Sequence, residues 1–227
     1  MFDSIAPAYD FMNRAMTFGM HVRWKEKALD SVCNTLSASP QNIIDLATGT
    51  GDVAFTLAKR FPDAKITGCD LSSRMLDIAE KKREQLQPNE ADRLVFEQGD
   101  CLNLRFPEQS FDLVTIAYGV RNFENLKEGL SEIFRVLRSG GSCMILELSR
   151  PENFILRAGY DLYSRLLIPI AGKLASGDSH AYKYLPMSIK AMPSRQTMKY
   201  ILEAVGFRNV SYKSLTMGVV TIYIAQK

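Results

Sequence analysis

Asn42-Ile43-Ile44-Asp45-Leu46-Ala47 is a short apolar run that stops at Thr48-Gly49-Thr50-Gly51. Val53, Phe55, Leu57, Ala58 and Phe61 then recur at helical spacing as far as Pro62. A buried strand, a glycine turn and a helix in that order commit the chain to a βα unit. Asp52 reads as the N-cap of that helix. The pattern then repeats. Lys65 to Cys69 is a second strand ending at Asp70, and Ser72 caps a helix with Met75, Leu76, Ile78 and Ala79 on its inner face. Arg93 to Glu97 is a third strand, followed by Gly99-Asp100, and Phe111 to Ala117 is a fourth. A helix over Leu126 to Leu137 ends at Gly140-Gly141, read as a C-cap pair, and Ser142 to Leu148 is a fifth strand. Five such units imply a parallel sheet covered on both faces, and right-handed crossovers make it doubly wound.

The chain reads as one α/β domain over residues 1–227 with four parts. Residues 1–40 form a helical N-terminal arm, and 41–150 form the cofactor-binding core. Residues 151–193, rich in Tyr, Leu and Ile and without a strand, form a helical insertion. In 194–227 a last helix stops at Gly206, and Phe207 to Ser214 and Gly218 to Ala225 alternate as an antiparallel hairpin that closes the sheet. The expectation is a doubly wound, mainly parallel, seven-stranded sheet.

Composition narrows the function classes. The chain carries 28 Lys plus Arg against 25 Asp plus Glu, a net charge of +3, with no basic block, so no nucleic acid is expected as a partner. Cys33, Cys69, Cys101 and Cys143 are far apart, and the histidines are His21 and His180 only. That spacing supports neither a metal site nor a disulfide framework, and it fits a reducing, cytoplasmic compartment. The start has no basic-then-apolar leader pattern, and no apolar stretch is long enough to span a membrane.

The glycine turn and Asp70, placed 21 residues after Gly49 at the next strand end, have the layout of a nucleoside site. Glycine lets the backbone approach the ligand, and the carboxylate grips ribose hydroxyls. Gly49-x-Gly51-x-x-Ala54 also satisfies the dinucleotide fingerprint. However, Asp45 at the strand end and Asp52 at the helix head would repel a pyrophosphate and suit a cofactor carrying an ammonium and a sulfonium. Asp100 adds an acceptor for an adenine amino group. These residues describe S-adenosylmethionine rather than a nicotinamide dinucleotide. Leu71, after Asp70, and Ala117, at the end of the fourth strand, complete the cofactor set.

Asp45-Leu46-Ala47-Thr48-Gly49-Thr50-Gly51-Asp52 resembles the first motif of class I S-adenosylmethionine-dependent methyltransferases, with their Rossmann-like fold. Two longer segments, Tyr9 to Trp24 and Arg135 to Ser149, resemble the two signatures of the menaquinone/ubiquinone C-methyltransferase family. Tyr118-Gly119-Val120-Arg121-Asn122 resembles its segment after the fourth strand. The resemblance covers nearly the whole chain. Thr17 stands where the family has Ser, and Arg138-Ser139 where it has Lys-Pro. The family's usual N-terminal extension would join at Met1-Phe2-Asp3.

The resemblance implies that Thr50 and the glycine turn hold the methionyl part, Asp70 the ribose, and Asp100 with the Cys101 backbone N–H the adenine. The implied reaction is methylation of a ring carbon of a prenylated quinol, demethylmenaquinol in the first place and, as the alternative, a 6-methoxy-benzoquinol or both. A quinol carbon becomes nucleophilic when its neighbouring hydroxyl loses a proton, so a base or a phenolate-stabilising group is needed, and no metal. Arg121, Tyr118, Asn122 and His21 are the candidates for proton handling. Tyr9, Tyr160 and His180 (the last in a loop of the insertion) are the candidates for lining the quinol pocket. Phe2, Ile5, Met12, Met16, Phe18 and Met20 in the arm, with Leu156, Tyr160, Tyr163, Leu167 and Leu174 in the insertion, suit a prenyl tail and peripheral contact with the inner face of a membrane. The same stripes suit core packing or a homodimer face. Two other readings are a nicotinamide-dependent oxidoreductase and a non-catalytic cofactor-binding subunit of a quinone-making complex.

Overall fold

The computed structural model describes residues 3, 6–162 and 179–227, with the side chains of residues 8 and 179–183 outside the description. Its strands are β1 (Asn42–Leu46), β2 (Lys65–Asp70), β3 (Leu94–Gln98), β4 (Phe111–Ala117), β5 (Leu137–Leu148), β6 (Arg208–Leu215) and β7 (Val220–Gln226). They make one sheet in the order β3-β2-β1-β4-β5-β7-β6. Strands β1 to β5 pair in parallel, and β7 runs antiparallel to both β5 and β6. The expected doubly wound, mainly parallel sheet with its closing hairpin is present. Strand order reverses between β1 and β4, which is where such a sheet leaves a crevice at its C-terminal edge.

Successive residues on the central strands serve opposite faces. Ile43, Leu113, Met144 and Ile222 face a layer built from helices Met20–Cys33 and Asp52–Arg60, through Leu29, Val32, Ala54 and Leu57. Ile44, Val114, Ile116 and Ile145 face helices Leu126–Val136 and Arg195–Val205, through Leu130, Ile133, Met198 and Leu202. β4 is buried from Phe111 to Ile116, as a strand covered on both faces must be. The arm contributes helix Tyr9–Thr17 ahead of Met20–Cys33. In the insertion, residues 154–162 and Ser179–Ala191 are helical.

Besides shifts of one or two residues at the ends of β3, β6 and β7, the sequence reading differs from the structure at two glycine sites. Gly140-Gly141 is not a helix cap: the helix ends at Val136 and β5 begins at Leu137, opposite Phe111. Gly140 takes a φ of 78° and donates its N–H to the Lys227 carbonyl at 2.9 Å, and Lys227 returns one to Gly141 at 3.1 Å. The glycines thus absorb a register shift inside β5. Likewise the N-cap of helix Asp52–Arg60 is Gly51, at φ 85°, with Asp52 its first residue.

Candidate active site

The site grows from the end of β1. Ala47, Gly49 and Gly51 all have positive φ, so the chain leaves the sheet in a left-handed turn before entering the helix. A Cβ on Gly51 would come within 2.7 Å of Phe55 and 2.9 Å of Phe96, so only glycine fits there. Asp70, ending β2, ties the turn down. Its Oδ2 accepts from the Gly49 N–H at 2.8 Å, and its Oδ1 from the Ser72 N–H at 2.8 Å. Burial raises the Asp70 pKa against the pull of those two bonds. A carboxylate has about four acceptor positions, so acceptor capacity remains for a ligand.

Above this edge lies a cleft of about 240 Å³. Gly49, Asp70, Leu71, Asp100, Cys101 and Ala117 of the expected cofactor set form its wall, together with Tyr9, Tyr118 and Asn122 of the reaction set. Among the described residues the charged members of that wall are Asp70, Asp100 and Glu124, with no Lys, Arg or His. Leu71 is 68% exposed, while Met75 beside it is buried. Asp100 accepts from the Leu102 N–H at 2.9 Å. Burial pushes the Cys101 thiol up to about 12, so it stays protonated.

Asp45, Thr50 and His21 border a second cavity of about 40 Å³, which shares Tyr9, Gly49 and Tyr118 with the first. Asp45 is 1% exposed and accepts the Thr48 and Thr115 hydroxyls at 2.6 and 2.7 Å. Desolvation outweighs those bonds and lifts its pKa to about 6. The Thr50 hydroxyl donates to Asp10 at 2.7 Å, so it is spent on the arm. Asp52 is not a free charge at the helix head: Lys25 reaches it at 2.7 Å and Lys82 at 3.2 Å. Asp52 is thus neutralised and does not provide the repulsion of phosphate expected of it. His21 is buried, its Nδ1 pairs with the Thr17 hydroxyl at 2.8 Å, and burial with Lys25 lowers its pKa.

Arg121 is bonded to the Tyr118 carbonyl and is not among the residues that line the larger cleft. Its Nη1 donates to Glu147 Oε1 at 2.9 Å and to the Tyr118 carbonyl, while Glu147 Oε2 accepts the Arg121 N–H at 3.1 Å. Both side chains of the ion pair are buried, at 8% and 1% exposure. Burial opposes the charge on Arg121, but Glu147, with Tyr9 and Tyr184, outweighs it and the guanidinium is held charged. Tyr118 takes a φ of 60°, and burial raises its pKa. Its hydroxyl and Arg121 Nε are buried and have no hydrogen-bond partner among the described residues. Tyr184, from helix Ser179–Ala191, donates to Asn122 Oδ1 at 3.3 Å and so brings the insertion to the site.

Glu147, Tyr184 and Lys82 were not picked out in the sequence. Glu147 sits inside the second family-like segment, but nothing marked it as Arg121's partner. Tyr160 is half-buried on the helical stretch 154–162 and is not in the wall of the larger cleft. His180 falls in the first turn of a helix rather than a loop, and its side chain lies outside the described residues, as do Phe2, Ile5, Tyr163, Leu167 and Leu174.

Comparison with known proteins adds to this geometry. The chain is 43% identical over 228 residues to the demethylmenaquinone methyltransferase of Porphyromonas gingivalis, covering 100% of this chain and 91% of that one. It is 39% identical over 228 residues to the ubiquinone/menaquinone biosynthesis C-methyltransferase UbiE of Geotalea daltonii, covering 100% and 94%. Among solved structures, a putative S-adenosyl-L-methionine-dependent methyltransferase from Methanococcus maripaludis superposes with a TM-score of 0.69 at 22% identity, over 100% and 94% of the two chains. That last likeness concerns the fold alone. The model of the ubiE/COQ5 methyltransferase family matches residues 1–227, and with the glycine turn, Asp70 and the switch-point cleft in place, the chain belongs to that family.

Proposed function

We propose that this protein transfers a methyl group from S-adenosylmethionine to a ring carbon of demethylmenaquinol, the last step of menaquinone formation. The observation that carries the reading is the charge of the cleft. Among the described residues, three acids and no cation line a crevice at a glycine turn and a helix N-terminus. The acids of the wall disfavour a dinucleotide's pyrophosphate and favour a net-cationic nucleoside. The open acceptor positions of Asp70 suit a ribose, Leu71, Met75 and Cys101 form an apolar bed for adenine, and Asp100 suits its amino group. When bound, S-adenosylmethionine supplies an electrophilic methyl carbon on a good leaving group.

The chain's own residues then handle the quinol. Arg121 stays a guanidinium, so it is not the base; it stabilises the phenolate as the ring carbon becomes nucleophilic. Tyr118, Asn122 and Tyr9 hold the ring, with Tyr184 fixing the Asn122 amide. His21, kept neutral by burial and Lys25, offers an imidazole nitrogen as proton acceptor. The ring C–H proton is lost after methyl transfer and restores the aromatic quinol. Exposed Phe154, Ile155 and Leu162 on the insertion support contact with the membrane's inner face or a second copy of the chain. Among the described residues no helix is long and apolar enough to cross a membrane.

A second reading is methylation of a 6-methoxy-benzoquinol in ubiquinone formation, favoured by the name of the Geotalea relative. Labelled methyl transfer to a short-tailed demethylmenaquinol and to the methoxy-benzoquinol, under reducing conditions, tests both. Methylation of the naphthoquinol is expected. Label in the benzoquinol alone would replace the first reading by the second, and label in neither, with cofactor still bound, would favour the scaffold reading.

A further inference from the structure

A buried guanidinium next to an acid-lined cleft raises a problem of charge. The proposed ligand is itself a cation: at neutral pH its carboxylate offsets its ammonium and leaves the sulfonium uncompensated. A second cation buried nearby would oppose its binding, because screening is weak in a low-dielectric site. Glu147 answers this problem. It lies near the end of β5, 1% exposed, and both its oxygens are fixed: Oε1 by Arg121 Nη1 and the Leu148 N–H at 2.8 Å, Oε2 by the Arg121 N–H. With the guanidinium also held on the Tyr118 carbonyl, its Nε is left as the one buried, unpartnered N–H of that group among the described residues.

We infer that Glu147 is a positioning residue that acts electrostatically. It neutralises Arg121 so that a sulfonium cofactor can share its cleft, and it aims the guanidinium. The inference rests on the cofactor and not on which quinol is methylated. It separates Glu147 from an ordinary structural carboxylate by one property. A structural role affects every ligand alike, whereas a counter-charge discriminates between S-adenosylmethionine and S-adenosylhomocysteine, which differ by the sulfonium charge and one methyl.

The test is the ratio of the two dissociation constants, measured by calorimetry on the full chain without any quinol. Glu147→Gln removes the charge and keeps an acceptor for one of the two backbone N–H groups, a loss that weighs on both ligands alike. It is expected to weaken S-adenosylmethionine about tenfold more than S-adenosylhomocysteine. The neutral double variant Arg121→Met/Glu147→Gln should return the ratio to the wild-type value, since removing both members of a buried pair is tolerated better than removing one. Equal weakening of both ligands in Glu147→Gln, or a double variant whose ratio stays shifted, would overturn the inference. If Glu147→Gln does not fold, Arg121→Met alone decides: the ratio should move towards S-adenosylmethionine, and an unmoved ratio overturns the inference. Failure of the quinol assay leaves these outcomes untouched.

Discussion

At the residue scale, Asp45 shows how a site is held against the interests of stability. It is buried, it is satisfied by two threonine hydroxyls, and desolvation still lifts its pKa from 3.8 to about 6. The folded protein therefore binds the proton more tightly than the unfolded chain does. By linkage, stability falls as pH rises from 4 to 6, and the cost, about 3 kcal/mol at most, is complete above that range. Asp45→Asn should raise the melting temperature by several degrees at pH 8, with the gain shrinking towards zero near pH 4. Melting curves of the two proteins across that range check this; a gain that grew on acidification would remove the desolvated carboxylate as its cause. Asp70 and Asp45 both stood out in the sequence because they end strands beside a glycine turn. Glu147 did not. Its role depends on Arg121, 26 positions away, and strand periodicity says nothing about which buried acid meets which base.

At the scale of elements, the sequence was most legible where one rule acted alone. Phe111–Ala117 has the bounds the apolar run suggested, because a doubly covered strand leaves no other reading. Gly140-Gly141 misled because a glycine pair after a helical repeat satisfies the capping rule and the bulge rule equally. Only the partner strand decides, through Phe111 and Lys227. The arm was legible as helix but not as part of the site. Lys82, in helix Ser73–Arg83, reaches Asp10 at 2.8 Å, the Thr50 carbonyl at 3.1 Å and Asp52, so one ammonium ties the arm to the glycine turn. Both partners in these pairs are about a third exposed or more, so each is worth at most about 1 kcal/mol. That is small against global stability and large for a single docked helix. Lys82→Met should therefore leave the melting temperature within about 2 °C of wild type but speed proteolytic cleavage ahead of residue 20. Unchanged cleavage would show that the apolar contacts of Met12 suffice to hold the arm.

For the whole molecule, the two faces of the sheet have different owners. One is closed by helices Leu126–Val136 and Arg195–Val205. The other needs Met20–Cys33, which lies ahead of the first strand and packs against residues of the last one. The beginning and end of the chain thus meet over the middle of the sheet. Trp24 marks that meeting: its indole Nε1 donates to the Thr216 hydroxyl at 2.8 Å, in the turn between β6 and β7. Because it is the one tryptophan in 227 residues, intrinsic emission excited at the indole band is a built-in optical probe of that seam. It is 5% exposed, so its spectrum should be blue-shifted in the native state and move to the red on release. In a denaturant titration the red shift should coincide with loss of far-ultraviolet ellipticity if the seam belongs to the cooperative unit. A shift that came first would mean that the chain can shed its front while the nucleoside crevice stays intact.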